Sequence, residues 1–303
     1  MIKPLILISI PSTIDAYKVI LSKLLVYRDK YQTPLGIEIY LFDIQETANK
    51  IRLLKRVLNK YNIPIAVNLP ILKERDLKQL KSLNYLKPEY IVTQGYVLDN
   101  SESVDYIGLC HKTASTLCSI DKGDIELLIK NSVYPTTGIL STDLMKISRC
   151  SNCGILIDTE SLLHTICTVR KWSRSSKVAP FSEEEKDCLK QYGFFIRSDK
   201  ILCPLTCLKT LALEQQLVQV SANHYHISGS NTLIIDKKLI KQTEILDSPF
   251  HRYLVSAILK MNPKSITVKS CCSDGSHDLD ITLRSLKMLL GFINENQIKG
   301  VSK

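Results

Sequence analysis

No stretch of this 303-residue chain approaches the roughly 18 consecutive apolar residues that a membrane-spanning helix needs. The one apolar run near the start, Leu5 to Ile10, is too short for a secretory leader with a small-residue cleavage site. The sequence therefore predicts a cytoplasmic protein without a membrane span. Also missing are a Walker-type phosphate loop, G-x-G-x-x-G, G-x-S-x-G and H-E-x-x-H. Those absences argue against common nucleotide-hydrolysing, dinucleotide-binding, serine-hydrolase and zinc-protease architectures. There is no internal repeat and no low-complexity segment. Aromatic residues make up only 7%, with a single Trp, yet 45% of the chain is hydrophobic, which is ordinary globular composition.

Two things are abundant. Lys and Arg exceed Asp and Glu by 40 to 30, a net charge of +10. That balance favours a polyanionic partner such as RNA, although the basic residues are spread out and fit a solvated lysine-rich surface equally well. The chain also holds ten cysteines. In a reducing compartment these are metal ligands or redox groups before they are disulfides.

The first half alternates short apolar runs with amphipathic segments. Strands are predicted at Leu5–Ile10, Gly36–Phe42, Ile63–Leu69, Tyr90–Thr93, Tyr106–Leu109 and Gly138–Leu140. Helices are predicted over about Asp15–Lys30, Glu46–Tyr61, Leu72–Leu86 and Lys122–Lys130. This alternation implies an α/β fold with a parallel sheet: a (β/α) barrel, complete or irregular, or a doubly wound sheet. Function then sits at the carboxyl ends of the strands. The polar residues expected there are Ser12, Thr13, Asp43, Asn68, Gln94, His111 and Lys112.

From about Ile147 the pattern breaks. We divide the chain into a first barrel part (1–147), a cysteine-bearing α+β insertion (148–235), and a final barrel strand with helices (236–303). The insertion carries a basic group, Arg170, Lys171, Arg174 and Lys177, and a helix capped by Ser182 with Glu185. The last part predicts helix Pro249–Leu259, strand Ser265–Val268 and helix Leu279–Ile293.

Cys150 and Cys153 form a C-x2-C hook (RCSNCG) whose spacing lets two sulfurs face one metal, with Gly154 expected to ease the turn. Cys203 and Cys207 form C-x3-C (CPLTC), and Cys167 lies between the pairs. These five cysteines compete for the four positions of a zinc site or a [4Fe–4S] cluster. The long separation of the two pairs favours a cluster inside a folded domain over a free-standing zinc ribbon. His164 is an alternative ligand but reads more simply as an ordinary polar histidine. Cys110 and His111 are adjacent, so on a strand they point to opposite faces and do not pair. Cys118 adds nothing to them, and Cys188 reads as a core residue. Cys271 and Cys272 precede SDGSHD, where Gly275 could meet a phosphate, but a capped helix start explains the same residues. His224 and His226 alternate in SANHYHISG and share one face, read here as a surface face because two histidines alone do not close a metal site.

Several segments taken together resemble the collagenase-like peptidase family, which includes ubiquinone-hydroxylation accessory proteins and related tRNA-hydroxylation proteins. HKTASTLCSIDKGDIELLIKN (His111–Asn131) followed by GILSTDLMKI (Gly138–Ile147) is similar to the family's strand, helix and LS-x-E-L segment, with Asp143 in the acidic place. NTLIIDKKLI (Asn231–Ile240) and KSITVKS (Lys264–Ser270) resemble the lead-in and strand of its last barrel unit. The resemblance implies a [4Fe–4S] cluster held by Cys150 or Cys153, Cys167, and Cys203 or Cys207. The first two cysteines stand closer together here than in the family. It implies oxygen-independent hydroxylation of an RNA base or a quinone precursor, not proteolysis. The alternative is a zinc-stabilised nucleic-acid-binding or assembly module without catalysis. A third reading is a barrel without activity that serves as a partner subunit.

Overall fold

The computed structural model describes residues 3–11, 17–41, 55–71, 81–96, 106–120, 123–132, 137–138, 141–162, 201–202, 217–218, 220–229, 233–234, 244–269 and 278–301. Eight parallel strands close into a barrel: β1 (Leu5–Pro11), β2 (Leu35–Tyr40), β3 (Ile65–Ile71), β4 (Tyr90–Gln94), β5 (Glu126–Lys130), β6 (Gly154–Asp158), β8 (His224–Ile227) and β10 (Ser265–Val268). They follow chain order around the ring, and β10 pairs with β1 from Leu5↔Ser265 to Ile8↔Val268. Two short strands, β7 (Ile201–Leu202) and β9 (Leu233–Ile234), form a separate antiparallel pair. The described helices include α1 (Tyr17–Tyr31), α2 (Tyr106–Cys118), α3 (Ser141–Ser151), α4 (Pro249–Lys260) and α5 (Leu279–Val301). None of them is long and apolar enough to cross a membrane.

Burial follows the period of two. Ile6, Ile8, Ile10, Ile37, Ile39, Val67, Ile91 and Ile129 point outward into the large core beneath the helices. Leu7, Ala66, Tyr90, Val92, Leu128 and Leu156 form a second cluster inside the barrel. A strand buried on both faces reads as a continuous apolar run, which is why LILISI and GIEIYLF stand out in the sequence. Gly36 belongs to the inner face: a Cβ there would lie 2.6 Å from the Pro64 carbonyl oxygen and 2.7 Å from Leu7 Cδ2.

The helices are set by local signals. Ser248 caps α4 by accepting from His251 N–H, with Pro249 opening the first turn. Asp278 caps α5 by accepting from Ile281 N–H at 3.0 Å, so the ordinary reading of that helix start holds. The phosphate-binding alternative rested on Gly275, outside the described residues.

Three predicted elements differ. Tyr106–Leu109 opens helix α2 and is not a strand, so His111 and Lys112 are exposed helical residues instead of strand ends. Lys122–Lys130 contains strand β5, not a helix. Both errors come from apolar runs of four or five residues, which fit either period. The third difference concerns the insertion. Strands β6 and β8 both lie within residues 148–235, so the barrel draws two of its eight staves from that segment. The Ser182 helix, the basic group Arg170–Lys177 and His164 lie outside the described residues, as do Ser12, Thr13 and Asp43.

Candidate functional site

Alternation along the strands sends Glu38, Asn68, Tyr90, Lys130, Asp158, His226 and Thr267 into the barrel. All of them are at least nine-tenths buried, so each charge must find a partner there.

Glu38 is the hub. Its Oε2 accepts from the Tyr90 hydroxyl at 2.9 Å and meets His226 Nε2 at 2.7 Å. Its Oε1 accepts from Asn68 Nδ2 at 3.0 Å. Burial would raise this carboxyl, but His226 and the Asn68 hydrogen bond, with Lys130 further off, outweigh it and hold Glu38 at about 2. A carboxylate only accepts, so His226 Nε2 carries the proton. Burial and the Glu38 charge push the Tyr90 phenol well above its usual range, making it a fixed donor. The Tyr90 oxygen also lies 3.0 Å from Thr267 Oγ1.

At the carboxyl ends of β5, β6 and β10 stand Lys130, Asp158 and Lys269. Lys269 Nζ donates to Asp158 Oδ2 at 2.6 Å. His226 Nδ1 faces the same oxygen at 3.6 Å, too far for a hydrogen bond. Burial opposes the charge on Asp158, yet Lys269, His226 and Lys130 together hold its carboxyl well below the usual range. Asn131, next to Lys130, fixes the Asp158 backbone by bonding both its N–H and its carbonyl. Lys130 itself is lowered to about 8, first by burial and then by the Lys269 charge, against the pull of Asp158, Glu38 and Glu160. Among the described residues, two buried polar atoms of the network, His226 Nδ1 and Asn68 Oδ1, meet no hydrogen-bond partner.

Of the polar residues expected at strand ends, Gln94 does end β4, whereas Asn68 lies in the middle of β3 with its side chain in the barrel network. The sequence reading missed Glu38, Lys130, Asp158 and Lys269, whose signal is a charge within or directly after a short, mostly apolar strand (GIEIY, ELLIK, GILID, SITVK). His224 and His226 do share a face, as predicted, but that face is the barrel interior and not the surface. His224 lies toward the amino ends, where its Nδ1 meets Ser265 Oγ at 2.8 Å. Burial lowers it to about 4 despite Glu126 nearby. Together with Arg149 and Asn223, it and Glu126 line a cavity of about 230 Å³ at that end.

The cysteines sit elsewhere. Cys150 is exposed near the end of α3, whereas Cys153 is buried in the outer core with its Sγ 3.6 Å from the Ser151 carbonyl. The tight turn between them is made by Asn152, at φ 52°, instead of Gly154. Gly154 is required for another reason: a Cβ there would come within 2.6 Å of Leu128 Cδ2. Cys167, Cys203 and Cys207 lie outside the described residues, as do Cys188, Cys271 and Cys272. Among the described residues no group of three or more His, Cys, Asp or Glu is placed to hold a metal.

No sequence-family profile matches the chain, and no curated protein sequence does. Solved structures do resemble it. A D-allulose 3-epimerase from Methylomonas sp. is 12% identical with a TM-score of 0.55, covering 96% of this chain and 99% of its own. Endonuclease IV from Thermus thermophilus is 11% identical at 0.54, covering 96% and 100%. A xylose isomerase domain protein from Planctomyces limnophilus is 9% identical at 0.56, covering 97% and 99%. Likeness at this level establishes the (β/α) barrel and leaves the chemistry to the residues of this chain.

Proposed function

We propose that the chain is a (β/α)-barrel enzyme that takes a small, negatively charged aldehyde or ketone at the carboxyl ends of its strands and activates it through the amine of Lys130. The observation that carries this reading is a fully buried lysine beside a second lysine and a carboxylate, held at about 8. Desolvation and a neighbouring cation are what make a lysine amine nucleophilic. At pH 7 roughly a tenth of such a lysine is unprotonated, against well under a thousandth for an ordinary one.

The amine nitrogen adds to the carbonyl carbon. The oxygen takes one proton from that nitrogen and one from solvent and leaves as water, giving a protonated imine. The imine draws electrons from an adjacent C–H bond, and His226 Nδ1 accepts the proton. Glu38 holds His226 in the tautomer that leaves Nδ1 bare. Incubation with 2-oxo acids or phosphorylated aldehydes and borohydride is expected to add the reduced substrate to the peptide carrying Lys130. The yield should rise through pH 8. An adduct on other lysines alone counts against the assignment.

A second reading concerns the cysteines. A [4Fe–4S] cluster, or else zinc, drawn from Cys150, Cys153, Cys167, Cys203 and Cys207 would fit hydroxylation of an RNA base or quinone precursor, or a nucleic-acid-binding module. The exposed thiol of Cys150 and the charge of +10 support it. Buried Cys153 would have to turn outward to take part. Anaerobically purified protein is then expected to be brown; a colourless protein with about one zinc per chain selects the zinc form.

A further inference from the structure

We propose that the cavity at the amino ends of the strands is a binding site for a small apolar α-amino acid, at the opposite end of the barrel from Lys130. Glu126 opens β5, His224 opens β8, and Arg149 lies in the last turn of α3. These three side chains and Asn223 border a cavity of about 230 Å³. Arg149 and Asn223 are exposed, so the cavity has a mouth toward solvent. Part of its wall is apolar, supplied by Met145, Ile155 and Val220.

His224 is the observation that points to a ligand. Its side chain is only 5% exposed, yet its Nε2 meets no hydrogen-bond partner among the described residues. A buried ring nitrogen left in that state is costly. Glu126 Oε2 stands 3.3 Å away but out of line for a hydrogen bond. Burial keeps the ring neutral, at about 4. In the tautomer that donates Nδ1–H to Ser265 Oγ at 2.8 Å, Nε2 is a bare acceptor beside a second acceptor, the carboxylate. An ammonium satisfies both, because it carries three N–H donors and a positive charge. Lys264 Nζ already lies 3.1 and 3.2 Å from the two Glu126 oxygens. Its side chain is more than half exposed, so it reaches Glu126 from the rim and leaves Nε2 unmet.

Arg149 supplies the complementary charge. It pairs with no carboxylate among the described residues, and a guanidinium holds a carboxylate through a two-point fork. An ammonium at Glu126 and His224, a carboxylate at Arg149 and an aliphatic chain against the apolar wall together describe an amino acid such as leucine.

In calorimetry with the full chain, L-leucine is expected to bind saturably, with a dissociation constant of roughly 1 mM or below. Isocaproate lacks the ammonium and isoamylamine lacks the carboxylate. Each should bind about 10-fold more weakly or worse, as loss of a hydrogen bond to a charged group predicts. E126Q and R149M should lose leucine affinity to a similar degree while remaining folded by circular dichroism. None of these results depends on imine formation at Lys130, so the two proposals fail or stand separately. No saturable binding of leucine, valine or methionine below about 10 mM would overturn the inference. So would isocaproate binding as tightly as leucine, or unchanged leucine affinity in R149M, whose exposed position on α3 makes it the safer variant to fold.

Discussion

Replacing Lys130 with Met is expected to abolish borohydride trapping and to lower turnover by roughly three orders of magnitude or more, while leaving the unfolding free energy unchanged or higher. The two halves of this result belong together. Lys130 is fully buried, and burial is the largest influence on its amine. Lys269 shares its surroundings and stays on Asp158 at 2.6 Å after the substitution. A methionine of similar length fills the space without a charge to desolvate. The fold disfavours the Lys130 charge, as its lowered value shows, so removing that charge is not expected to weaken the barrel while Lys269 keeps Asp158 paired. If Lys130 were there only to neutralise Asp158, its loss would destabilise the barrel by about 3–5 kcal/mol. Urea unfolding of K130M and trapping with the same protein therefore distinguish a chemical role from a structural one. K130R, which keeps a charge but is not a nucleophile at neutral pH, is expected to trap nothing as well.

Glu38→Ala should act in the opposite sense, on stability first. The substitution strands three donors at once: the Tyr90 hydroxyl, Asn68 Nδ2 and His226 Nε2. Unpaired polar groups inside a barrel bring an expected loss of about 3–5 kcal/mol in urea unfolding. Glu38→Gln, which still accepts through one oxygen, should lose less. The acid response follows the same linkage. The folded carboxyl is at about 2, below its ordinary 4.5. Its contribution is thus complete above the ordinary value and disappears as pH falls from there toward 2. The shift corresponds to about 3 kcal/mol. Asp158, also depressed, adds to the loss in the same direction. Unfolding midpoints of wild type and E38Q are expected to converge as pH falls through that window. A constant gap between them would show that the Glu38 charge is not what stabilises the network.

The barrel was legible where a strand is long and apolar enough to exclude a helix. LILISI, GIEIYLF and IPIAVNL announce β1, β2 and β3, and SITV announces β10. Periodicity with capping residues announces α4 and α5. Strand β5 was hidden because ELLIK is too short to have a period, and β6 because the cysteines before it suggested a separate insertion. The site was less legible for a different reason. Glu38 and His226 lie 188 residues apart and meet only because the ring closes in one register, Leu7 opposite Gly36 and Thr267 opposite His226. No local pattern encodes that meeting. What the sequence did display was a charge within, or just after, each of several short apolar strands. Such a charge is costly to bury, so each one marks a strand whose inner face needs a partner from another strand. The cysteines show the converse: Cys150 and Cys153 are conspicuous neighbours in sequence, yet one side chain is exposed and the other lies in the core.

The claim on which the account depends most is that the Lys130 amine loses its proton near neutral pH. Nuclear magnetic resonance of ¹⁵N-labelled lysine side chains, with K130M to assign the signal, reads this without any substrate. The account predicts one Nζ resonance that titrates with a midpoint near 8, separated from the other lysines. A Lys130 resonance that stays with the bulk, near the ordinary lysine value of about 10.4, would contradict it.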